Sequence, residues 1–478
     1  MPFQSKGLQC LVFYSVPYLL NSENRIFAPL MYYNRKIALH TLGCKLNFSE
    51  TSAIGRVLVE NGFQKVEFGE VADYYIINTC SVTQNADKET RQIVRSALRT
   101  NPDAKVIVVG CYAQLKPEEI SNIPGVNMVL GANEKFKINE YIEQLENQEK
   151  PLVIAGDIDA VDFYSDAYSF GERTRSFLKV QDGCDYFCSF CTIPLARGKS
   201  RSGSIEQTMI TARKVAQTGV KEVVLTGVNL GDFGKTSDGN GRTEENFFQL
   251  AQQLEKIEEV ERWRISSIEP NLLTNDIISF VANSDKFMPH FHIPLQSGSD
   301  KILKLMRRKY LRKLYADRIA FIKSVMPHAC IGVDVIVGFP GETQEQFLET
   351  YDFINGLDVS YLHVFTYSER ANTRALNIKP IVPQADRKDR NKMLRILSEK
   401  KKHKFYSEHL NTERKALFES ENDSGIMYGF TDNYIKVALP FNEQLINTIQ
   451  TVSLDRISDF GYVNATCVDQ QVTAINVV

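Results

Sequence analysis

The sequence RSFLKVQDGCDYFCSFCTIPLARG, residues 175–198, joins a short apolar run to a loop that carries three cysteines. Further runs of strand-like composition follow it, and helical segments such as IEQTMITARKVAQTG separate them. This alternation predicts a parallel (βα)6 arrangement, which is two units short of a full (βα)8 barrel and is therefore open. Because loops at the carboxyl ends of such strands carry the chemistry, we expect the active site in the loop after the first strand.

The three cysteines of this loop, Cys184, Cys188 and Cys191, have the spacing C-x3-C-x2-C. Structural zinc takes four protein ligands, and no fourth cysteine or nearby histidine accompanies these three. An iron–sulfur cluster can bind through three thiolates and keep one iron open to another ligand. A disulfide would use only two of the three cysteines and leave one thiol unpaired, and disulfides are rare in a reducing compartment. The spacing therefore favours an iron–sulfur cluster, with zinc and a core or redox role as the alternatives.

Three more cysteines in the first part of the chain each follow a short β-branched or aromatic run: Cys44 after RKIALHTLG, Cys80 after ADYYIINT, and Cys111 after AKVIVVG. Helical patterns separate the runs, which predicts a parallel sheet. The carboxyl ends of its strands lie along one edge, so the three thiols should converge there. One free cysteine is usually a core residue, but the same placement on three strands favours a metal site.

Net charge does not decide the class of partner, because 56 lysine and arginine residues nearly balance 58 aspartate and glutamate residues. Any contact with nucleic acid must come from local basic patches. Residues 383–410 form a basic helical stretch, which is either a solvated face or a phosphate-binding surface. After it, short strands joined by polar turns predict a small β-barrel, whose Tyr428, Phe430 and Tyr434 could stack on bases or fill the core.

Residues 1–33 look like an N-terminal extension that need not be native, of which residues 1–30 would lie upstream of a natural start at Met31, and we predict no role for Cys10 within it. No uninterrupted apolar run reaches the roughly 20 residues that span a bilayer, so we expect no membrane segment. Nine cysteines, clustered or single, are unlike the dense framework of a small secreted domain. We therefore predict a reducing, cytoplasmic location.

The loop CDYFCSFC, together with TLGC, NTC and GC ahead of it, resembles the methylthiotransferases of the radical S-adenosylmethionine (SAM) superfamily. The likeness runs from about residue 36 to the C-terminus. It implies SAM and two [4Fe-4S] clusters as cofactors. The cluster of Cys184, Cys188 and Cys191 would cleave SAM reductively to a 5'-deoxyadenosyl radical, and that of Cys44, Cys80 and Cys111 would carry the sulfur.

The same resemblance divides the chain into four parts. The extension at residues 1–33 precedes a parallel α/β methylthiotransferase domain at 34–150 that binds the auxiliary cluster. The radical SAM core, a partial (βα)6 barrel with the basic helix at its end, spans 170–410. The C-terminal small all-β barrel at 411–478 resembles the TRAM domain, an OB-like RNA-binding barrel.

Several side chains become candidate cofactor contacts through the resemblance, and no catalytic side chain is assigned. Phe190 matches the aromatic position that contacts the adenine of SAM. GVDVIVGFPGET resembles the fifth-strand element beside that adenine, where Gly338 and Gly341 either allow close backbone approach or simply form a β-to-α turn. Five other candidates either bind the ribose or carboxylate of SAM, or cap a helix or lie on a solvated loop: Arg197, Asn229, Gln296, Ser297 and Arg370.

Within the family, TLGCKLNFSET and RISSIEP resemble the branch that acts on N6-threonylcarbamoyladenosine at position 37 of tRNA, next to the anticodon. Lys45 and Leu46 differ from the residues usual in the branches that act on isopentenyladenosine and on a ribosomal-protein aspartate. The implied reaction is methylthiolation at C2 of the base, by methyl transfer to a cluster-bound sulfide followed by radical hydrogen abstraction.

The implied partners are the anticodon stem-loop of tRNA and an external electron donor, and we expect a monomer. The alternatives are the substrates of the other two branches, and a non-catalytic iron–sulfur protein that binds RNA or carries electrons.

Overall fold

This computed structural model describes residues 34–80, 84–148, 150–161, 163–171 and 173–468. The predictions about the N-terminal extension and Cys10 therefore lie outside the described residues. Within the described part of the chain, no helix combines the length and the apolar character needed to cross a membrane.

The N-terminal part is a parallel α/β domain, as predicted. Its elements are β1 (Lys36–Thr41), α1 (Lys45–Glu60), β2 (Gln64–Val66), β3 (Tyr74–Thr79), α2 (Gln84–Thr100), β4 (Lys105–Gly110), α3 (Cys111–Leu115), α4 (Pro117–Ser121), β5 (Val126–Leu130), α5 (Ile138–Ile142) and β6 (Leu152–Ile154). The sheet order is β2-β1-β3-β4-β5-β6, so the three predicted strands are neighbours at its centre. Every residue of β3 is buried, because helices cover both faces of a parallel sheet.

The central part contains the predicted open barrel. Its elements are β7 (Ala167–Tyr168), β8 (Ser176–Lys179), α6 (Ile193–Arg197), α7 (Ile205–Ala216), β9 (Glu222–Thr226), α8 (Phe247–Leu254), β10 (Arg262–Ile265), α9 (Asn275–Asn283), β11 (His290–His292), α10 (Asp300–Leu305), α11 (Arg312–Val325), β12 (Cys330–Val337), α12 (Gln344–Gly356), β13 (Tyr361–Thr366) and α13 (Gln384–Ser407).

The six strands from β8 to β13 run parallel, as the (βα)6 pattern predicts, in sheets β8-β9-β10 and β11-β12-β13. An isolated parallel bridge between Ser267 and His292 joins the two sheets. The antiparallel strand β7, which sequence reasoning missed, covers the outer edge of β8. Among the described residues β13 pairs only with β12, so the barrel is open on that side.

The C-terminal part is the predicted small barrel, closed in the order β14-β15-β16-β18-β17. Its strands are β14 (Glu413–Asp423), β15 (Ile426–Thr431), β16 (Lys436–Pro440), β17 (Ile449–Ile457) and β18 (Val463–Cys467). Arginines of β10 attach it to the central part. Arg264 donates to both carboxylate oxygens of Glu222 at 3.0 Å and to the backbone carbonyl of Asp432 at 3.1 Å, and Arg262 donates to that of Lys415 at 2.8 Å.

A buried ion network joins the N-terminal domain to the first strand of the central barrel. Glu50 on α1 is fully buried and accepts hydrogen bonds from Lys135 at 2.6 Å, Lys179 at 2.9 Å and Arg197 at 2.9 Å. Asp182, just after β8, pairs with Lys179 at 2.7 Å and with Arg197 at 2.8 Å. A buried charge that loses its partner is costly, so this network fixes how the two parts sit against each other.

Candidate active site

The first cysteine trio lies at one edge of the N-terminal sheet. Cys44 is the N-cap residue of α1, Cys80 directly follows β3, and Cys111 is the first residue of α3, directly after β4. Gly43 has a φ of +99°, and a Cβ on it would lie 2.5 Å from the Cβ of Cys80. The backbone before Cys44 therefore passes directly over Cys80, which only glycine permits. The predicted convergence of the three cysteines is confirmed, and their role as iron ligands stays a prediction.

The second trio occupies the loop between β8 and α6. The backbone N–H of Tyr186 points at the Sγ of Cys184 at 3.5 Å, that of Ile193 at the Sγ of Cys191 at 3.4 Å, and Arg308 donates to the Sγ of Cys188 at 3.2 Å.

Burial raises the pKa of all three thiols, that of Cys191 to about 12, so their thiolates need a nearby positive charge. Three thiols with N–H groups directed at the sulfurs fit an iron–sulfur cluster, whose properties depend on such hydrogen bonds.

A cavity of about 220 Å³ opens beside Cys191, and three predicted cofactor contacts, Phe190, Gln296 and Arg370, line it. Three polar atoms in its wall have no hydrogen-bond partner among the described residues: Oε1 of Gln296, Oη of Tyr367 and Oγ of Ser368. Buried polar atoms are nearly always bonded, so unbonded ones call for a polar ligand. The combination of an aromatic ring with such atoms fits SAM, which has an adenine, a ribose and an amino-acid end.

A second cavity, of about 260 Å³, lies beside Cys44 of the first trio. All three parts of the chain wall it: Lys45 comes from the N-terminal domain, His290 and His292 from β11, and Tyr434 from the small barrel. The ring of Tyr434 stacks on that of His290, with 4.2 Å between the centroids.

The two cavities meet where the Nε2 of His292 lies 2.8 Å from the Oδ1 of Asp334. His292 lines the cavity of the first trio and Asp334 lines the cavity of the second. His363, on β13 at the other side of β12, stacks on His292 with 5.3 Å between ring centroids. The cavity beside Cys44 therefore adjoins the cavity beside Cys191.

Two family models match this chain: the uncharacterized protein family UPF0004 over residues 36–131, and the radical SAM superfamily over residues 178–354. A threonylcarbamoyladenosine tRNA methylthiotransferase MtaB of Bacillus subtilis is 40% identical over 425 residues, which cover 87% of this chain and 93% of that relative. The chain belongs to the MtaB family of radical SAM methylthiotransferases.

More distant relatives extend the comparison beyond the MtaB family. A tRNA-2-methylthio-N(6)-dimethylallyladenosine synthase of Syntrophus aciditrophicus is 30% identical, over 87% of this chain and 88% of its own length. Among solved structures, the radical SAM methyltransferase TsrM of Kitasatospora setae aligns with a TM-score of 0.52 and 12% identity, covering 70% of this chain and 73% of that one. That likeness concerns the fold alone. As a radical SAM methylthiotransferase, the MtaB-family chain uses SAM and [4Fe-4S] clusters.

Arg197 of this MtaB-family chain lies apart from the SAM cavity. Its side chain is 2% exposed, and besides Glu50 and Asp182 it bonds the Oδ1 of Asn47 at 2.6 Å. We predicted that it pairs with the carboxylate of SAM or lies on a solvated loop. The alternative that Arg197 lies on a solvated loop is wrong, because its guanidinium is buried between the domains. Contact with SAM stays untested, although the guanidinium is already bonded to three other side chains.

Three further predicted contacts have structural partners and do not line the SAM cavity. Ser297 is fully buried, with its Oγ 3.2 Å from the Oγ1 of Thr350. Gly338 and Gly341 have φ angles of +73° and +83°, and a Cβ on Gly338 would lie 2.3 Å from the Cγ of Arg387. These glycines form the β-to-α turn that we gave as the alternative to a contact with SAM. The contact itself stays a prediction.

Asn229, the last predicted contact, is buried at the end of the loop that follows β9. Its backbone N–H donates to Gln181 at 2.8 Å, and its Nδ2 has no hydrogen-bond partner among the described residues. It lies in the wall of neither cavity, and its role too stays a prediction.

Sequence reasoning missed the three residues at the junction of the cavities, His292, Asp334 and His363. A signal was present for Asp334, because a carboxylate inside the apolar run GVDVIVGF must have a partner when the strand is buried. For the histidines there was none, since β11 and β13 come together only through the strand order, in which both pair with β12.

Proposed function

We propose that this chain adds a methylthio group to C2 of N6-threonylcarbamoyladenosine at position 37 of tRNA, using two SAM molecules and two iron–sulfur clusters. Membership of the MtaB family supports the reaction. The observation that carries the proposal is the contact between the cavity beside Cys44 and the cavity beside Cys191, through His292 and Asp334. A base held there is within reach of both a sulfur source and a radical source.

In this proposal each cysteine trio holds one cluster. When bound, the cluster on Cys184, Cys188 and Cys191 supplies the electron that cleaves SAM, and the cluster on Cys44, Cys80 and Cys111 supplies the sulfur. The remaining work belongs to the chain itself.

The side chains that line the SAM cavity would hold the cofactor. Phe190 packs on the adenine, while Gln296, Ser368 and Arg370 bind polar groups of SAM. Arg308 holds the sulfur of Cys188 in place and is itself fixed by an ion pair with Glu269.

A groove of about 1180 Å³ between β13 and α13 is our candidate for the tRNA backbone. Exposed basic side chains of α13 line it, namely Lys388, Lys392, Arg395 and Lys400. Tyr367 and Ser368 line both this groove and the SAM cavity, so RNA in the groove would lead toward the radical site. Arg390 of the same helix is buried and bonded to Glu342 at 2.6 Å, so it is not available to phosphate.

The small barrel offers an aromatic surface to RNA, although two of the three aromatics that sequence analysis considered face inward. Phe430 and Tyr434 stack on each other at 4.8 Å against the central part. Tyr428 lies on the outside of the barrel. Its ring centroid is 5.5 Å from that of Tyr462, and the ring of Tyr462 stacks on that of Phe460. Phe460 is 86% exposed, and exposed rings of this kind bind unpaired bases.

The substrate within tRNA is, in this proposal, the anticodon stem-loop. The chain acts as a monomer in the cytoplasm with an external electron donor. Higher identity to the MtaB relative, 40% against 30% for the dimethylallyladenosine synthase, favours threonylcarbamoyladenosine over isopentenyladenosine.

The decisive experiment presents the anaerobically reconstituted protein with SAM, a reductant and one substrate at a time. The substrates are tRNA that carries threonylcarbamoyladenosine, tRNA that carries isopentenyladenosine, and the ribosomal protein. We expect the methylthiolated nucleoside, identified by mass spectrometry, from the first substrate alone, together with 5'-deoxyadenosine.

Product from another substrate would assign the protein to the branch that acts on that substrate. A protein that forms no 5'-deoxyadenosine would be the non-catalytic iron–sulfur protein. Loss of the modified nucleoside from tRNA of a deletion strain would test the same assignment in the cell.

A further inference from the structure

The cavity beside Cys44 contains a lysine without a counter-ion. Lys45 lines it, and its Nζ makes no hydrogen bond or ion pair with any described residue. Lys45 is exposed. A substrate that enters the cavity would cover the ammonium group, and a covered charge is costly without a partner, so the site favours a substrate with an anionic group.

The acidic groups around this cavity are already paired. Both carboxylate oxygens of Glu222 accept hydrogen bonds from Arg264, and the Oδ1 of Asp334 lies 2.8 Å from the Nε2 of His292. The positive charge of Lys45 is therefore not neutralised by the carboxylates nearest to it.

Two further features of the same cavity favour an anion. The N-terminus of the 16-residue helix α1 lies at Cys44 and Lys45, and its partial positive charge adds to that of the ammonium group. His290 is 3% exposed and lines the cavity, and its Nδ1 has no hydrogen-bond partner among the described residues while its Nε2 lies 3.1 Å from the hydroxyl of Tyr361. The charge of Lys45, the partial charge of the helix N-terminus and the unbonded nitrogen of His290 thus lie at one cavity.

We propose that Lys45 binds the carboxylate of the threonyl group of the substrate base and thereby selects threonylcarbamoyladenosine over uncharged N6-substituted adenosines. This inference rests on the proposed function and assigns the specificity of the same site. An N6-dimethylallyl group has no charge, so it would leave Lys45 buried without a partner. A site that is built for a polar group rejects an analogue that lacks it, because its own polar atoms are then left unpaired.

The experiment combines a change in the protein with a change in the substrate. The substrates are anticodon stem-loops that carry threonylcarbamoyladenosine or its methylamide, in which the carboxylate is neutral. The proteins are wild type, Lys45→Met, Lys45→Arg, and the matched control Lys36→Met, whose lysine is exposed at the opposite end of β1. Iron content and 5'-deoxyadenosine formation without RNA are measured for each, so that a loss of clusters is recognised.

For wild type we expect kcat/KM to fall about 10- to 100-fold from the acid to the methylamide, because a hydrogen bond to a charged group contributes about 1.5–3 kcal/mol. Lys45→Met should lose a similar factor on the acid, mainly through KM, and should no longer distinguish the two substrates. Lys45→Arg should keep much of the preference, and Lys36→Met all of it.

Two results would overturn the inference. One is a wild-type enzyme that treats acid and methylamide alike, which needs no variant and so stands even if Lys45→Met does not fold. The other is a Lys45→Met enzyme that slows equally on both substrates, which would assign the lysine to a phosphate or to the cluster. Failure of the proposed function is a separate result, in which wild type with both clusters forms 5'-deoxyadenosine but no product from the acid.

Discussion

The two cysteine trios are built in opposite ways. Cys184, Cys188 and Cys191 share one loop, and the hydrogen bonds to the sulfurs of Cys184 and Cys191 come from that loop's own backbone. The other trio is gathered from three strands of one sheet. A local loop can present its ligands even when its surroundings relax, whereas the sheet edge depends on strand register and on the buried network of Glu50. The auxiliary site should therefore be the more sensitive of the two to changes far from any cysteine.

The largest effect is expected from removing the radical trio. Replacement of Cys184, Cys188 and Cys191 by alanine should abolish 5'-deoxyadenosine formation, since no thiolates remain for the cluster that binds SAM. Iron content of the reconstituted protein should fall from about eight atoms to about four, because each trio holds one four-iron cluster. A variant that retains all its iron would show that these cysteines are not ligands.

Removal of the auxiliary trio should separate the two half-reactions. With alanine at Cys44, Cys80 and Cys111, 5'-deoxyadenosine should still form, while methylthiolated nucleoside should disappear, because the radical loop keeps its own ligands. Both products are quantified in the same assay by mass spectrometry. A normal yield of methylthiolated nucleoside would show that this trio is structural and does not supply the sulfur.

Glu50→Gln tests whether the buried network supports the auxiliary edge. The change leaves Lys135, Lys179 and Arg197 without their shared carboxylate, and breaking a buried ion pair costs about 3–5 kcal/mol. We expect a lower free energy of unfolding and a selective loss of auxiliary iron, measured by denaturant unfolding and by iron content after reconstitution.

The matched control is Glu222→Gln, which removes an equally buried carboxylate at the contact with the small barrel. It should also destabilise the protein but keep both clusters. Equal loss of iron in the two variants would mean that general stability, rather than this network, holds the auxiliary edge.

The smallest effect is expected from changes in the groove, which should lower the affinity for tRNA and leave the iron content of both clusters unchanged. Replacing Lys388, Lys392 and Arg395 by glutamine should lower the slope of log affinity against log salt by about 2 to 3, since each phosphate contact contributes about 0.7 to 0.9. Formation of 5'-deoxyadenosine without RNA should not change. The control replaces Lys301, Lys304 and Lys313, which are exposed but lie outside the groove. An unchanged slope would remove the groove from the RNA-binding surface.

Sequence reasoning reached the fold and the cysteines because both depend on local patterns. Alternating strand and helix signals predict parallel sheets, and a cysteine directly after each of three strands places a thiol at the sheet edge. It failed where a side chain's surroundings come from distant segments. Arg197 looked like a loop residue beside the cysteines, yet Glu50, almost 150 positions earlier, buries it. The sequence left open whether Tyr434 faces RNA or fills the core of the barrel, and the docking of one domain on another turns it inward.

The position of Tyr434 in the wall of the cavity beside Cys44 has a consequence for how the protein is made. During synthesis the N-terminal sheet and the central barrel leave the ribosome first, and domains generally fold in that order. The cavity, however, gains its last wall only when residue 434 has emerged and the small barrel has docked. A nascent or truncated chain can thus have both cysteine trios in place and still present the histidines of that cavity to open solvent.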